Sequence, residues 1–588
     1  MKKLFALILA LTMVFSLATT AFAAEDHTIT IKGSDEDHTY TAYQIFDGTL
    51  SDGKLTEIKW GSAITDNGVA LIAALKADNT LKSIFVDPTP AEGEEANPID
   101  TAEEVADILA ANNTAANAEA FASVVASVIG ESTASAGTSV YDEETTWHTI
   151  DVSATGDGYY IVMDTGTIGE GHAATKYILQ VLGSAELTVK TEEPTLDKEV
   201  QDDETPDTTD EWGETADYSI GDTVPFKLTA TINNDNQVDK YDTYPLYFTD
   251  TMSAGLTLNA DSITVKVGNS VIDSSCYTVY TGDNAVLSTV AAANGHTQIT
   301  DDTKYTFIVW IKDTRTLTSN GASVALTVPT KVVVEFNATL NEKAEIGNVP
   351  NNKNTGDLWF DNNPNNDSWG STKEDTVWVF TYDLDSNKTD SEGSALEDAV
   401  FEIRTNKTDP NTAIKLVKVS EETEKKTITS EEGTEEEVTV VTKVTYRPYD
   451  EELDVDVDAD DIVTSITSPA GGLFTFEGLD AGTYYLVETD APEGYNLLKD
   501  AITVVISAEH DENEAGTSAE TKVTLTKDGS TITAEEGKNP VVQIVNKSGT
   551  ELPTTGGMGT TLFYIVGGLM VAGAAILLVT KKRMGAEA

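Results

Sequence analysis

From Leu562 to Val579 the chain carries no charge, and Lys581, Lys582 and Arg583 follow almost at once. A run of this length can cross a bilayer as a tilted helix, and a basic cluster behind it stays on the cytoplasmic side. Few residues remain beyond the cluster, so the predicted span, 562–579, is a retention device and not part of a folded body. Just ahead of it stands Leu552-Pro553-Thr554-Thr555-Gly556. At the other end, Lys2 and Lys3 precede an apolar stretch from Leu4 to about Leu17, then Ala21-Phe22-Ala23. This is the pattern of a secretory signal peptide, residues 1–23, with an Ala-x-Ala cleavage site. What lies between the two signals must fold outside the cell, in about 530 residues, enough for three or four domains.

An exported chain commonly takes covalent bracing from disulfides. This one has a single cysteine, Cys276, and cannot form one within itself. Bracing, if needed, must come from other chemistry. The formal charge of -62 is spread along the whole sequence. That argues against nucleic acid as a partner, because phosphate binding needs basic patches, and suits a soluble, self-repelling exterior. No Gly-rich phosphate loop, His-based metal spacing or nucleophile motif appears, so an enzyme acting on external substrates is not expected, and neither a cofactor nor a metal is required.

The alternation of apolar and polar residues makes the chain mainly β, in tandem sandwich domains. Residues 24–191 form the first. Thr28 to Ile31, Tyr40 to Phe46, Gly158 to Met163 and Tyr177 to Lys190 read as its strands. Thr101-Ala102-Glu103-Glu104 is a capping box that opens a helical insertion, continued by the spacing of Phe121, Val124, Val125 and Val128. Glu192-Glu193-Pro194 marks a boundary. Residues 195–370 form a second sandwich, with strands at Val224 to Ile232, Leu246 to Thr249, Ser262 to Val267, Tyr305 to Ile311 and Lys331 to Leu340. Its Asn-rich end, Asn348 to Asn366, reads as a loop around one short strand, Leu358 to Phe360. Residues 376–548 form a third. There Asp454-Val455-Asp456-Val457-Asp458 lacks the glycine and distal glutamate of an EF-hand and reads as an edge strand with one acidic face. Residues 549–588 hold the terminal signal.

Several polar residues fall in the wrong phase. Residues i, i+2 and i+4 of a strand share a face. Lys388 is in phase with Leu384, Glu488 with Tyr484 and Leu486, and Asn546 with Val542 and Ile544. A lysine, a glutamate and an asparagine thus point to the apolar side of one domain. In the second domain Lys198 is in phase with Leu196 and Val200, Asp250 with Leu246 and Phe248, and Asn362 with Leu358 and Phe360. Asn363 remains an alternative if the loop shifts the register. Burial lowers a lysine pKa and raises a carboxyl pKa, and a neutral amine is a nucleophile. The expected product in each domain is an amide between lysine and asparagine, Lys388 with Asn546 and Lys198 with Asn362, with Glu488 and Asp250 as the acids and ammonia released. The last strand of the first domain holds no asparagine, so no such bond is expected there.

These residues also carry resemblances. The pentad, apolar span and basic tail together resemble the cell-wall sorting signal of Gram-positive surface proteins. That implies cleavage between Thr555 and Gly556 by a sortase, transfer of the Thr555 carbonyl to an amine, and a membrane-held state only before sorting. Leu473 to Leu479 followed by Gly482 to Tyr495 closely resembles the immunoglobulin-like Cna B-type domain of pilins and adhesins, in which matching Lys, Glu and Asn residues form an intramolecular isopeptide bond. The first strands, the Asp250 segment and Phe360 to Pro364 resemble the corresponding parts of Gram-positive backbone pilins. The resemblance implies a structural subunit at the cell surface, with a sortase, copies of itself, other pilins and peptidoglycan as partners and a contribution to adhesion. The alternative is a monomeric wall-anchored adhesin or a minor pilin. Pilus sortases need an acceptor amine. Lys190 lies opposite the apolar face of Ala185, Leu187 and Val189, at the junction where backbone pilins carry their acceptor lysine, although the aromatic and proline residues usual in that motif are missing. Lys176 is the fallback.

Overall fold

The computed structural model describes residues 27–549 except 35, 52–53, 90–97, 130–133, 167–173, 175–177, 183–184, 190–192, 203–210, 234–237, 325, 327–328, 348–351, 366–367, 430–434, 513–518 and 534–539, together with 566, 569–574 and 576. The signal peptide, the sorting pentad, Lys176 and Lys190 lie outside these residues, as does more than half of the predicted span. No helix among the described residues is long and apolar enough to cross a membrane.

The first unit packs two sheets face to face, and the expected helical insertion covers the outer face of one of them. One sheet runs in the order Val140–Asp142, Trp147–Asp151, Thr28–Lys32, Ala185–Thr188, and the other is built on Tyr40–Ser51 and Gly158–Asp164. The insertion comprises α1 (Val69–Ala77), α2 (Ala102–Ala111) and α3 (Ala115–Val128). Both halves of the capping box are made at the start of α2: Glu104 N–H donates to Thr101 Oγ1, and Thr101 N–H donates back to Glu104 Oε2. Val105, Leu109, Phe121 and Val125 from these helices share a core with Tyr159 and Ile161 of the sheet. The single strand read over Tyr177 to Lys190 is two. Ile178–Leu182 pairs in one sheet and Ala185–Thr188 in the other, so the chain changes layers between these two strands.

In the second unit Thr195–Asp202 pairs with Thr223–Ile232 in one sheet. The facing sheet has Lys353–Asp361 at its centre, flanked by Leu246–Met252 and Asp375–Phe380. The Asn-rich region is therefore no loop around three strand residues. Apolar neighbours on both sides, and the pairing of all seven residues of Leu246–Met252 with Asn354 to Phe360, hold it extended. The outer face of this sheet is covered by α4 (Leu287–Ala293), with Tyr247, Ile308, Leu287 and Val290 forming a small satellite core.

No linker separates the second unit from the third. Asp375–Phe380 hydrogen-bonds into the second unit's sheet, and its side chains alternate between two cores. Val377 and Val379 enter the second core, whereas Trp378 and Phe380 enter the third. After the buried Thr381, the strand Tyr382–Thr389 opens the third unit. Ile220 N–H donates to Gly478 O at 2.9 Å and Asp480 N–H to Ser219 Oγ at 3.0 Å, fastening the joint from the side. The buried Asp217 accepts from Tyr382 Oη and contacts His510 Nε2 at 3.2 Å.

The third unit is a sandwich of two sheets, ordered around Leu473–Leu479 and Gly482–Asp490. Its first strand, Tyr382–Thr389, lies parallel to its last, Val541–Val545, with Lys388 opposite Ile544. The acidic run at Asp454 is not an edge strand. It forms turns and a short 3-10 helix, Ala459–Asp461, because Asp454 is drawn inward into a two-pronged ion pair with Arg447. Among the described residues no group of ligands suited to a metal ion occurs.

Two aspartates outside the lysine clusters, the buried Asp357 and the partly buried Asp383, titrate high. Burial, with Glu374 and Asp301 adding like charge, pushes Asp357 up to about 7. Burial, with Asp385 and Glu477 adding like charge, does the same to Asp383. A carboxyl whose folded pKa is raised stabilises the fold fully below its unfolded value, near 4, and loses that contribution as the pH rises through the folded value. The melting temperature of the mature protein is therefore expected to fall between pH 5 and pH 8. Asp357→Asn and Asp383→Asn should each flatten that slope, as read by calorimetry across the range.

Candidate functional site

The two out-of-phase lysines are both fully buried in β-strands, one in each of the last two units. Strand alternation dictates this: Lys198 lies between the core-facing Leu196 and Val200, and Lys388 follows Leu384 on the inward face of Tyr382–Thr389.

In the second unit Lys198 Nζ lies 2.5 Å from Asp250 Oδ2, with both side chains fully enclosed. The rings of Phe336 and Phe226 stand 5.1 and 5.8 Å from the amine. Burial lowers the Lys198 pKa against the pull of Asp250, and pushes the Asp250 carboxyl up to about 6. Both shifts favour the neutral pair, in which the proton has moved from ammonium to carboxylate. The Lys198 main chain is pinned as well, its N–H donating to Asp375 Oδ2 at 2.7 Å.

The amide beside this pair is not Asn362. Asp250 lies opposite Gly356, and Met252 lies opposite Asn354. Asn354 is therefore the diagonal neighbour of Asp250 on the same inward face, within reach of its side chain. It is fully buried, and neither Oδ1 nor Nδ2 makes a hydrogen bond of good geometry. Its proximity favours the charged form of Asp250. Asn362 is buried too, but lies six residues beyond Gly356, roughly 20 Å along an extended strand. It serves the junction with the first unit, its carbonyl accepting from Ala174 N–H at 2.7 Å. Asn363 is engaged in a turn, its Oδ1 accepting from Asn365 N–H at 3.0 Å. Sequence phase admits Asn354 as a candidate beside Asn362, since residues 354, 356, 358, 360 and 362 share one face. Reading the strand as three residues long hid it.

In the third unit Lys388, Glu488 and Asn546 converge at the end of the parallel pair of first and last strands. Asn546 N–H donates to Thr389 O at 3.0 Å, and Lys388 Nζ reaches Thr389 O at 3.3 Å. Asn546 Nδ2 donates to both Glu488 oxygens at 2.9 Å, leaving Asn546 Oδ1 buried without a partner. Leu498 N–H donates to Glu488 Oε2 at 2.8 Å. Burial lowers the Lys388 pKa, with Glu488 and Asp390 opposing. Each cluster thus combines an amine pushed towards neutrality, a carboxyl group and a side-chain amide. That is the equipment for exchanging ammonia for lysine on the amide carbon.

Residues 383–521 match the SpaA, prealbumin-like fold domain, and residues 544–584 match the LPXTG cell wall anchor motif. Over 104 residues the chain is 36% identical to fimbrial subunit type 1 of Actinomyces viscosus, a stretch covering 18% of this chain and 16% of that subunit. Among solved structures, the T6 backbone pilin of Streptococcus pyogenes aligns at 15% identity over 90% of this chain and 100% of that one, with a TM-score of 0.45. The major pilin SpaD of Corynebacterium diphtheriae aligns at 15% identity over 89% and 98%, with a TM-score of 0.42.

If the second cluster reacts, peptide mapping of the mature protein will find Lys198 joined to Asn354. Asn354→Ala should leave Lys198 free, whereas Asn362→Ala should not. A Lys198–Asn362 peptide would reverse the assignment. On the loop-entropy model, loss of the link should cost about 5 kcal/mol of stability, read from the denaturant midpoint. The third unit is thus similar in sequence to the SpaA, prealbumin-like fold domain over residues 383–521, and a match to the LPXTG cell wall anchor motif follows it.

Proposed function

We propose that this chain is the structural backbone subunit of a covalent, sortase-assembled pilus at the Gram-positive cell wall, braced inside its second and third units by lysine–asparagine isopeptide bonds. The observation that carries the reading is the third-unit cluster, where Lys388, Glu488 and Asn546 meet between the first and last strands of a unit that leads into an anchor motif.

The chemistry follows from the burial. The lysine ammonium gives a proton to the neighbouring carboxylate, Glu488 or Asp250. The neutral amine attacks the amide carbon of Asn546 or Asn354. The protonated acid hydrogen-bonds the amide oxygen as negative charge develops there, then returns its proton to the departing nitrogen. One C–N bond forms, one breaks, and ammonia leaves with the remaining lysine proton as ammonium. At Asn546 a half-turn of the amide about its Cβ–Cγ bond presents Oδ1 to the acid. The product is neutral, so the cost of burying the lysine charge disappears.

Between subunits the amine must instead be in water. A sortase would cleave after Thr555 and join its carbonyl to Lys190 of the next copy, with Lys176 as the fallback acceptor, and would link the finished fibre to peptidoglycan. The protein needs no activity on external substrates. Cell-wall extracts boiled in detergent are expected to show a ladder of multimers, and Lys190→Ala should collapse it to the monomer while both internal links remain. A single wall-linked band from the unaltered chain would instead mark a monomeric adhesin or a minor pilin.

A further inference from the structure

The segment Tyr495 to Leu498 holds two of the three reacting groups of the third unit in place. Tyr495 bridges Ser548 in antiparallel fashion. Asn496 clamps Lys547, the residue after the reacting asparagine: its main-chain N–H and its Nδ2 both donate to Lys547 O at 3.1 Å. The Asn496 carbonyl accepts from Asn546 Nδ2 at 3.1 Å. Two residues on, Leu498 N–H fixes Glu488 at 2.8 Å. The turn that delivers this segment is tight, with Tyr495 N–H donating to Pro492 O and Gly494 at φ 86°. The second unit is different. There the amine is bonded to its acid, and the Asn354 amide has no hydrogen bond of good geometry.

We propose that Asn496 is a positioning residue for cross-linking in the third unit, its side-chain amide holding the end of the last strand so that the Asn546 carbon faces Lys388. This rests on the cross-link reading above. Without the side-chain clamp, Lys547 O keeps only one donor, and the strand end frays at the point where a displacement of about 1 Å can cost roughly a hundredfold in rate.

The test is a pulse-chase of the full mature chain, with peptide mapping to follow the Lys388–Asn546 product over time. Asn496→Ala is expected to slow its appearance by roughly tenfold to a hundredfold and to leave the shape of its pH–rate profile unchanged, since amine and acid are untouched. Asn496→Asp fills the same volume without the donor and should be equally slow, which covers the case where the alanine variant does not fold. In a Lys388→Ala background, where no bond can form, Asn496→Asp should melt close to its parent. Linkage at the unaltered rate in both variants overturns the positioning role. So does slowing matched by unfolding of Asn496→Asp in the Lys388→Ala background. If Glu488→Gln abolishes the product while both Asn496 variants react normally, the clamp alone is wrong. If the unaltered chain yields no Lys388–Asn546 peptide, the cross-link reading fails and the clamp with it.

Discussion

An ammonium group inside a β-sandwich is among the most expensive things a fold can contain, and among the described residues two lysines, Lys198 and Lys388, are fully buried. Paired burial of lysine and carboxylate rarely stabilises by itself, because the desolvation of two ions offsets their attraction. The shifts at Lys198 and Asp250 show the direction of relief: the amine goes down and the acid goes up, each towards its neutral form. A neutral amine against a buried amide has a permanent way out, since conversion to a secondary amide removes the charge from the interior. The rest of the architecture can be read as what is needed to bring these groups together before that happens. Strand register supplies the second site, and the parallel pairing of first and last strands supplies the third.

Mechanical consequences follow from the same geometry. In the third unit the link would join the two strands through which tension enters and leaves, so a pull along the chain would load a covalent bond and not the ladder of strand hydrogen bonds. The joint above it adds to this. Because Asp375–Phe380 gives alternate side chains to two cores, force passes from one unit to the next along a strand that both units bury. A chain without disulfides can in this way be stiff outside the cell, using residues that the sequence places where charges are normally avoided.

Much of this was legible in the sequence because period-two alternation is a strong signal when the out-of-phase residue is a lysine. Lys388, Glu488 and Asn546 could be assigned to one interior by counting along three strands, and the capping box at Thr101 marked the start of α2. Asn354 could not be chosen from phase alone. It shares a face with Asn362, and only the pairing of Asp250 with Gly356 decides between them. A run of asparagines suggests a loop by composition, yet tertiary pairing with Leu246–Met252 overrides that preference. The layer change between Ile178–Leu182 and Ala185–Thr188 and the shared strand at Asp375–Phe380 were hidden for a related reason: both depend on which sheet a strand joins, and alternation says nothing about that. The clamp at Asn496 depends on side-chain contacts to a main chain fifty residues away, which no local pattern encodes.

The central claim is that the two buried amines are spent in covalent bonds. The most direct measurement is the intact mass of the mature protein, unfolded in acid so that no non-covalent contact survives. The account predicts a mass two ammonia units below that of the processed sequence. A mass equal to the sequence value would mean that both lysines remain as free amines inside their sandwiches, and would contradict it.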